Sequence, residues 1–280
     1  MSAGSRVTLA DLAAMKADRE KSVCVVVWDN QMAQIVDRVG VDIVSVGDSV
    51  GVNLWGHRDP FEITLDEMVI VARAVRRGVS RALVSCDFPF GPLQEGPEVA
   101  VRAAIRLVKE AGVDMVKLDG AADHPEAVEA VVAAGIPVFA QFGITPQTAL
   151  RYGVTYSGSA SSAEQVPAEL TDQMVAEARR LESAGASLLN FTNSGPLVGP
   201  VVTAAVGIPV LGGFGGGPWL DGRIRMATAA IGYRASGVDA TPTDAYVNVA
   251  QLAHDAISSY ADDVRSGRQI RGGVASPPSA

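Results

Sequence analysis

Val41-Asp42-Ile43-Val44-Ser45-Val46-Gly47-Asp48-Ser49 is an apolar run of strand length that ends in a carboxylate and a hydroxyl. The same design returns in Arg81-Ala82-Leu83-Val84-Ser85-Cys86-Asp87 and in Val113-Asp114-Met115-Val116-Lys117-Leu118-Asp119-Gly120. Parallel strands covered on both faces read as continuous hydrophobic runs, and ligands gather beyond their carboxyl ends. Asp48, Asp87 and Asp119 therefore point to one shared, carboxylate-lined pocket.

The strands are entered through a repeated joint, in which a helix stops on glycine and a short apolar strand follows almost at once. It occurs at Gly40, Gly112, Gly135, Gly185 and Gly207. Glycine tolerates the positive φ that closes a helix. Strands are expected at 22–28, 41–47, 81–86, 113–118, 136–142, 186–191 and 208–213, with a less apolar eighth around Ile224 to Ala229. Eight strands close a barrel, whereas seven leave an open doubly wound sheet. With the eighth counted, the fold class is a (β/α)8 TIM barrel, a single domain over residues 1–270 with a disordered tail at 271–280.

The helices between are marked at their starts. Asp29 caps one, Thr64-Leu65-Asp66-Glu67 is a capping box, Pro97 opens another, and Asp123-His124-Pro125-Glu126 begins the next. A longer helix is expected from Ala163 to Ala184, and a last one from Thr241-Pro242-Thr243-Asp244 to about Arg265. Residues 1–7 are expected to fray, and Leu9 to Met15 to form a short helix closing one barrel end. Ser49 to Ile63 and Gly143 to Ser162 are too long for simple connectors; both follow strand C-termini and read as walls or lids of the pocket, or as solvated loops.

Composition narrows the function. A net charge of -8 disfavours a nucleic acid partner. Cys24 and Cys86 fall inside apolar strands and form no C-x-x-C pair, as expected of core residues in a reducing compartment. No apolar stretch before Val23 has signal-peptide character and none is long enough to span a bilayer, so a soluble, cytoplasmic protein is expected.

Two strand-end carboxylates, Asp48 and Asp87, suffice for a hard cation such as Mg²⁺, which keeps water or substrate in its remaining positions. A single strand-end aspartate is more often a cap, and the case rests on recurrence. Lys117 reads either as a cation for a substrate carboxylate or as a snorkelling residue at the rim. Gly212 to Gly217 follow the seventh strand, where barrels bind phosphate through backbone N–H groups, or simply turn. His124 and His254 fall on helices. His57 lies on the long loop over the mouth, as an acid-base group or substrate contact.

Val46-Gly47-Asp48-Ser49-Val50-Gly51, Thr64-Leu65-Asp66-Glu67-Met68, Asp87-Phe88-Pro89-Phe90-Gly91, Val116-Lys117-Leu118-Asp119-Gly120, Gly143-Ile144-Thr145-Pro146-Gln147 and Tyr260-Ala261-Asp262-Asp263-Val264-Arg265-Ser266-Gly267 stand in the order, and nearly at the spacing, of one known family. They resemble ketopantoate hydroxymethyltransferase. The resemblance implies a (β/α)8 barrel of the phosphoenolpyruvate mutase and isocitrate lyase superfamily, assembled as a homo-oligomer, decameric in the family. It implies transfer of a hydroxymethyl group from 5,10-methylenetetrahydrofolate to C3 of a 2-oxo acid through an enolate. The metal would be Mg²⁺ or another divalent ion such as Mn²⁺, Co²⁺ or Zn²⁺. Carried over, Asp48 and Asp87 match the metal ligands, Asp119 replaces a glutamate of the outer metal sphere and joins that set, and Ser49 and Lys117 match residues holding the substrate carboxylate and oxo group.

Departures stand beside the matches. The catalytic glutamate of the resembled family is replaced by Asn190, which cannot take up a proton near neutral pH. A histidine is replaced by Gln141 and a tyrosine by His57. Asn190, Lys117, Gln141 and His57 are thus the positions read as catalytic, with Gln141 also a substrate contact. The change implies a divergent member with another substrate. A lyase or isomerase of the same superfamily and a non-catalytic metabolite-binding homologue are the other readings.

Overall fold

The apolar runs pair in the order in which they occur. The structure, a computed structural model, describes residues 5–155, 165–241 and 243–272. In it β1 (Ser22–Val26), β2 (Ile43–Val46), β3 (Leu83–Asp87), β4 (Met115–Leu118), β5 (Val138–Gly143), β6 (Leu188–Thr192), β7 (Val210–Gly212) and β8 (Gly222–Met226) form a closed parallel barrel. α1 (Leu9–Ala17) precedes it. α2 (Asn30–Val39), α3 (Leu65–Arg76), α4 (Pro97–Arg106), α5 (Pro125–Ala133), α6 (Thr171–Ser183) and α7 (Gly195–Ala205) connect successive strands from β1 to β7. The chain is a (β/α)8 barrel.

The expected caps form. Asp29 accepts the Met32 amide at 2.8 Å, and Thr64 and Glu67 bond reciprocally. Gly40, Gly112, Gly135 and Gly185 take φ of 73–90°. Gly207 does not; α7 ends there through Val206 in extended backbone, so the fifth joint needs no left-handed residue. At the closure, a side chain on Gly222 would meet the Ser22 carbonyl at 2.4 Å, so only glycine lets β8 reach β1.

Strand tilt sets the interior. Met115 lies beside Ser85, Phe139 beside Lys117 and Leu211 beside Asn190, which brings Cys24, Ile43, Leu83, Met115, Phe139, Leu188 and Leu211 into one apolar cluster. Leu12 and Met15 of α1 close it from outside, as expected, and so does Val7. Residues 5–7 are therefore not frayed: the Val7 amide bonds the Arg81 carbonyl at 2.9 Å. Two residues further along β2 to β6 the inward face becomes polar, with Ser45, Ser85, Lys117, Gln141 and Asn190 all buried.

Some boundaries differ from expectation. β8 starts earlier and stops at Met226, where α8 (Ala227–Ala230) begins. α6 starts at Thr171 after a single tight turn, because Pro167 holds extended backbone before it. The last helix, α9 (Val249–Arg265), starts well after Thr241; Asn248 is its cap and also ties the preceding turns to Gly237 and Ala240. The described residues from Met226 onward group as a compact unit of their own. The end of the expected Gly143 to Ser162 segment, Pro242 and most of the expected tail lie outside the described residues. Among those described, no helix is long and apolar enough to cross a membrane.

Candidate active site

The carboxyl ends of β2 to β6 carry a buried polar cluster. Asp87, the last residue of β3, lies in register with Lys117 of β4, and the Lys117 ammonium donates to Asp87 Oδ2 at 2.8 Å. Both are within a tenth of full burial. Ser45 Oγ donates to the other Asp87 oxygen at 3.4 Å. Lys117 is thus a pocket cation and not a rim residue. Burial works against its charge, but Asp87, Asp48 and Asp119 hold its pKa above the ordinary value.

Asp48 stands past β2 and Asp119 past β4. Burial, together with the Asp87 and Asp119 charges, pushes the Asp48 carboxyl up to about 7 despite Lys117 and a hydrogen bond from Gln147. Burial raises Asp119 to about 6 against hydrogen bonds from Thr145 and the Gln147 amide and the Lys117 charge. Asp119 Oδ1 is buried, with no hydrogen-bond partner among the described residues.

Gln147 closes the Gly143-Ile144-Thr145-Pro146-Gln147 motif and has a role that the motif alone does not reveal. Its Nε2 donates to Asp48 Oδ2 at 3.2 Å and to the Phe88 carbonyl at 3.5 Å, while its backbone N–H donates to Asp119 Oδ2 at 3.3 Å. One loop residue after β5 therefore seats the tips of three other strands. Asn193 is a second unforeseen participant: it holds the left-handed region at φ 56° and donates to the Ile144 carbonyl at 2.9 Å, joining the β6 and β5 loops.

Gln141 and Asn190 are register neighbours on β5 and β6. Gln141 donates to Thr192 Oγ1 at 3.1 Å, whereas Asn190 Oδ1 is buried and unpartnered. Ser49 is half-buried in the turn after β2. His57 is held apart from these groups. Its amide bonds the Gly51 carbonyl, its ring meets Trp55 edge-on at 6.0 Å, and the acids within its electrostatic reach are Glu62 and Glu67. The Gly212 to Gly217 loop is pinned through its Phe214 and Gly215 carbonyls to the Asn193 and Gly195 amides. Cys24 and Cys86 are free and buried; burial pushes the Cys24 thiol up to about 12, so neither is a ready nucleophile.

Could this cluster hold a cation? Among the described residues no group of three or more His, Cys, Asp or Glu side chains is arranged to hold a metal ion. A two-carboxylate site does not need one, since Mg²⁺ keeps water and substrate oxygens as its other ligands. The residues fit such an ion on physical grounds. Burial and then the Asp87 and Asp119 charges raise Asp48, a cost that a cation would relieve, and the donors are hard oxygens.

With this geometry in place, similarity to known proteins is informative. The family model for ketopantoate hydroxymethyltransferase matches residues 6–269. The chain belongs to this family. A 3-methyl-2-oxobutanoate hydroxymethyltransferase of Salinibacter ruber is 36% identical over 260 residues, 93% of this chain and 95% of that protein. One of Streptomyces coelicolor is 35% identical over 94% of this chain and 87% of its own length. Among solved structures, 2,3-dimethylmalate lyase, a phosphoenolpyruvate mutase and isocitrate lyase superfamily member, is similar at a TM-score of 0.57 and 16% identity, covering 96% of this chain and 90% of that one. Phosphonopyruvate hydrolase complexed with oxalate and Mg²⁺ gives 0.57 at 14% identity, over 98% and 92%. These two share the fold. As a ketopantoate hydroxymethyltransferase family member, the protein is a hydroxymethyltransferase-like enzyme that forms carbon–carbon bonds.

Proposed function

We propose that the enzyme transfers a hydroxymethyl group to C3 of a 2-oxo acid through an enolate, in a metal-dependent reaction with 5,10-methylenetetrahydrofolate as the one-carbon donor. The observation carrying this reading is the buried Asp48, Asp87 and Lys117 cluster at the barrel mouth, in a chain of this family. Asp48 and Asp87 would hold the divalent ion, with Asp119 behind them. When bound, the ion supplies Lewis-acid polarisation of the 2-oxo group.

The chain's own residues do the rest. Lys117 and Ser49 orient the carboxylate and oxo oxygens. Gln141 contacts the bound acid from β5. Asn190, read as the replacement of the family's glutamate base, cannot take up a proton near neutral pH, so the C3 proton passes to Asp119 Oδ1. That oxygen is buried, unpaired and part of a carboxyl raised to about 6, close to where a general base is effective. His57, packed edge-on against Trp55, takes no part in this step.

Exchange of C3 protons with deuterated solvent tests the reading. A panel of 2-oxo acids should include members that exchange only with Mg²⁺ or Mn²⁺ present. Asp119→Asn should slow that exchange by about 100-fold or more, while His57→Ala retains most of it. No metal-dependent exchange with any acid, or full exchange in Asp119→Asn, overturns it. Product analysis with and without the folate donor separates transfer from lyase or isomerase chemistry.

We also place the enzyme in a homo-oligomer. α9 carries Ile257, Tyr260 and Val264 along one stripe, each more than half exposed. Ile257→Asp combined with Tyr260→Asp should reduce the mass measured by light scattering to that of a smaller species.

A further inference from the structure

The inward face of the barrel holds polar atoms that the reaction above leaves unused. Asn190 is 5% exposed and its side chain bonds no described residue, with Oδ1 wholly buried. Ser85, fully buried on β3, has an Oγ in the same condition. Gln141, beside Asn190 in register, is tied by its nitrogen to Thr192, and its Oε1 accepts from no described residue. Below this level the interior is hydrocarbon, from Ile43, Leu83, Met115, Phe139 and Leu188. Above it stand the carboxylates.

Buried polar atoms without partners are costly, and a native barrel keeps them where a ligand pairs them. The groups assigned to the oxo and carboxylate end come from β2 to β4, and Asn190 and Gln141 come from β5 and β6. Resting on the enolate reading, this places the acyl chain beyond C3 toward the amides. A branched hydrocarbon there would leave Asn190 and Ser85 buried and unpaired. A second carboxylate would find no cation, because Lys117, the buried cation among the described residues, is engaged by Asp87. An amide and a hydroxyl each donate and accept, which matches a neutral partner that does the same.

We infer that the acyl chain of the 2-oxo acid carries a neutral hydrogen-bonding group, a hydroxyl or a carboxamide, received by Asn190 with Ser85 and Gln141. Asn190 then determines specificity.

Calorimetric titration with Mg²⁺ present tests it in isosteric pairs. 4-Hydroxy-2-oxobutanoate is set against 2-oxopentanoate, 4-amino-2,4-dioxobutanoate against 4-methyl-2-oxopentanoate, and oxaloacetate stands as the charged control. At least one polar member should bind ten-fold or more tightly than its hydrocarbon partner, and which pair does so tells hydroxyl from carboxamide. Asn190→Leu should abolish or reverse the preference, and Ser85→Ala should reduce it with almost no change of shape. The inference is overturned if hydrocarbon members or oxaloacetate bind as tightly as the polar ones, if none of the acids binds, or if both folded variants keep the wild-type preference. Deuterium exchange on the same acids keeps the two readings apart: a binding preference without exchange sinks the enolate, and exchange without the preference sinks this subsite.

Discussion

Asp48→Asn should raise the melting temperature of the metal-free protein at pH 8 while removing nearly all metal-dependent exchange. The two effects come from one cause. In the native state the Asp48 carboxyl is pushed up to about 7 by burial and by the Asp87 and Asp119 charges, whereas in the unfolded chain it stands near 3.8. Between those values the native protein binds more protons than the unfolded one, so its stability falls as pH rises from about 4 to about 7 and stays low above. Asp119, raised to about 6, acts with the same sign. Asparagine has the shape of the protonated acid, still accepts from Gln147, and escapes the repulsion. An increase on the order of 5 °C at pH 8, shrinking toward zero near pH 4, is expected by differential scanning calorimetry. Saturating Mg²⁺ should stabilise the wild type and flatten its pH dependence, and do little for the variant. On the proposed function activity moves the other way, because the variant gives up a charge meant for the metal; a loss of about 1,000-fold is expected. A variant less stable than wild type at pH 8 would mean that Asp48 is held there by favourable contacts and not in readiness for a cation.

That opposition of stability and function shows what the sequence could reveal. Asp48, Asp87 and Asp119 were legible because each ends an apolar run, and a carboxylate at a strand tip breaks a pattern visible in one dimension. The polar interior below them was less legible, although it obeys a rule. Leu83-Ser85-Asp87, Met115-Lys117-Asp119 and Leu188-Asn190-Thr192 each run from apolar to polar at every second residue along the inward face. Read in steps of two, Ser85 would have been recognised as lining the pocket. β8 was harder to place because Arg223 and Arg225 occupy its exposed positions, leaving no continuous hydrophobic run. Gln147 gave no signal: it sits in a loop without periodicity, and its role exists only once folding gathers the tips of β2, β3 and β4 around it. Val7 was missed for a related reason, since its partner, the Arg81 carbonyl, is distant in the chain.

Lys117→Met should be the most destabilising single change in the cluster. The Lys117 ammonium is the positive charge within hydrogen-bond reach of Asp87, and it also offsets part of the repulsion on Asp48 and Asp119. Methionine fills nearly the same volume, so packing is kept and the loss is electrostatic. Removing one partner of a buried ion pair leaves the other charged and desolvated, at a cost of about 3–5 kcal/mol. For a chain of this length that corresponds to a fall in melting temperature of roughly 10 °C. The sign of the pH dependence identifies the cause. With the cation gone, Asp48 and Asp119 lose a charge that lowers their pKa values, so both rise further above their unfolded values. The deficit should therefore be small near pH 4, where both acids are protonated in the native state with or without Lys117, and grow as pH rises toward 8. A deficit independent of pH would show lost packing. Asp48→Asn added to Lys117→Met should recover part of the stability, because it removes one of the stranded charges; strictly additive effects would mean that the two side chains do not interact across the pocket.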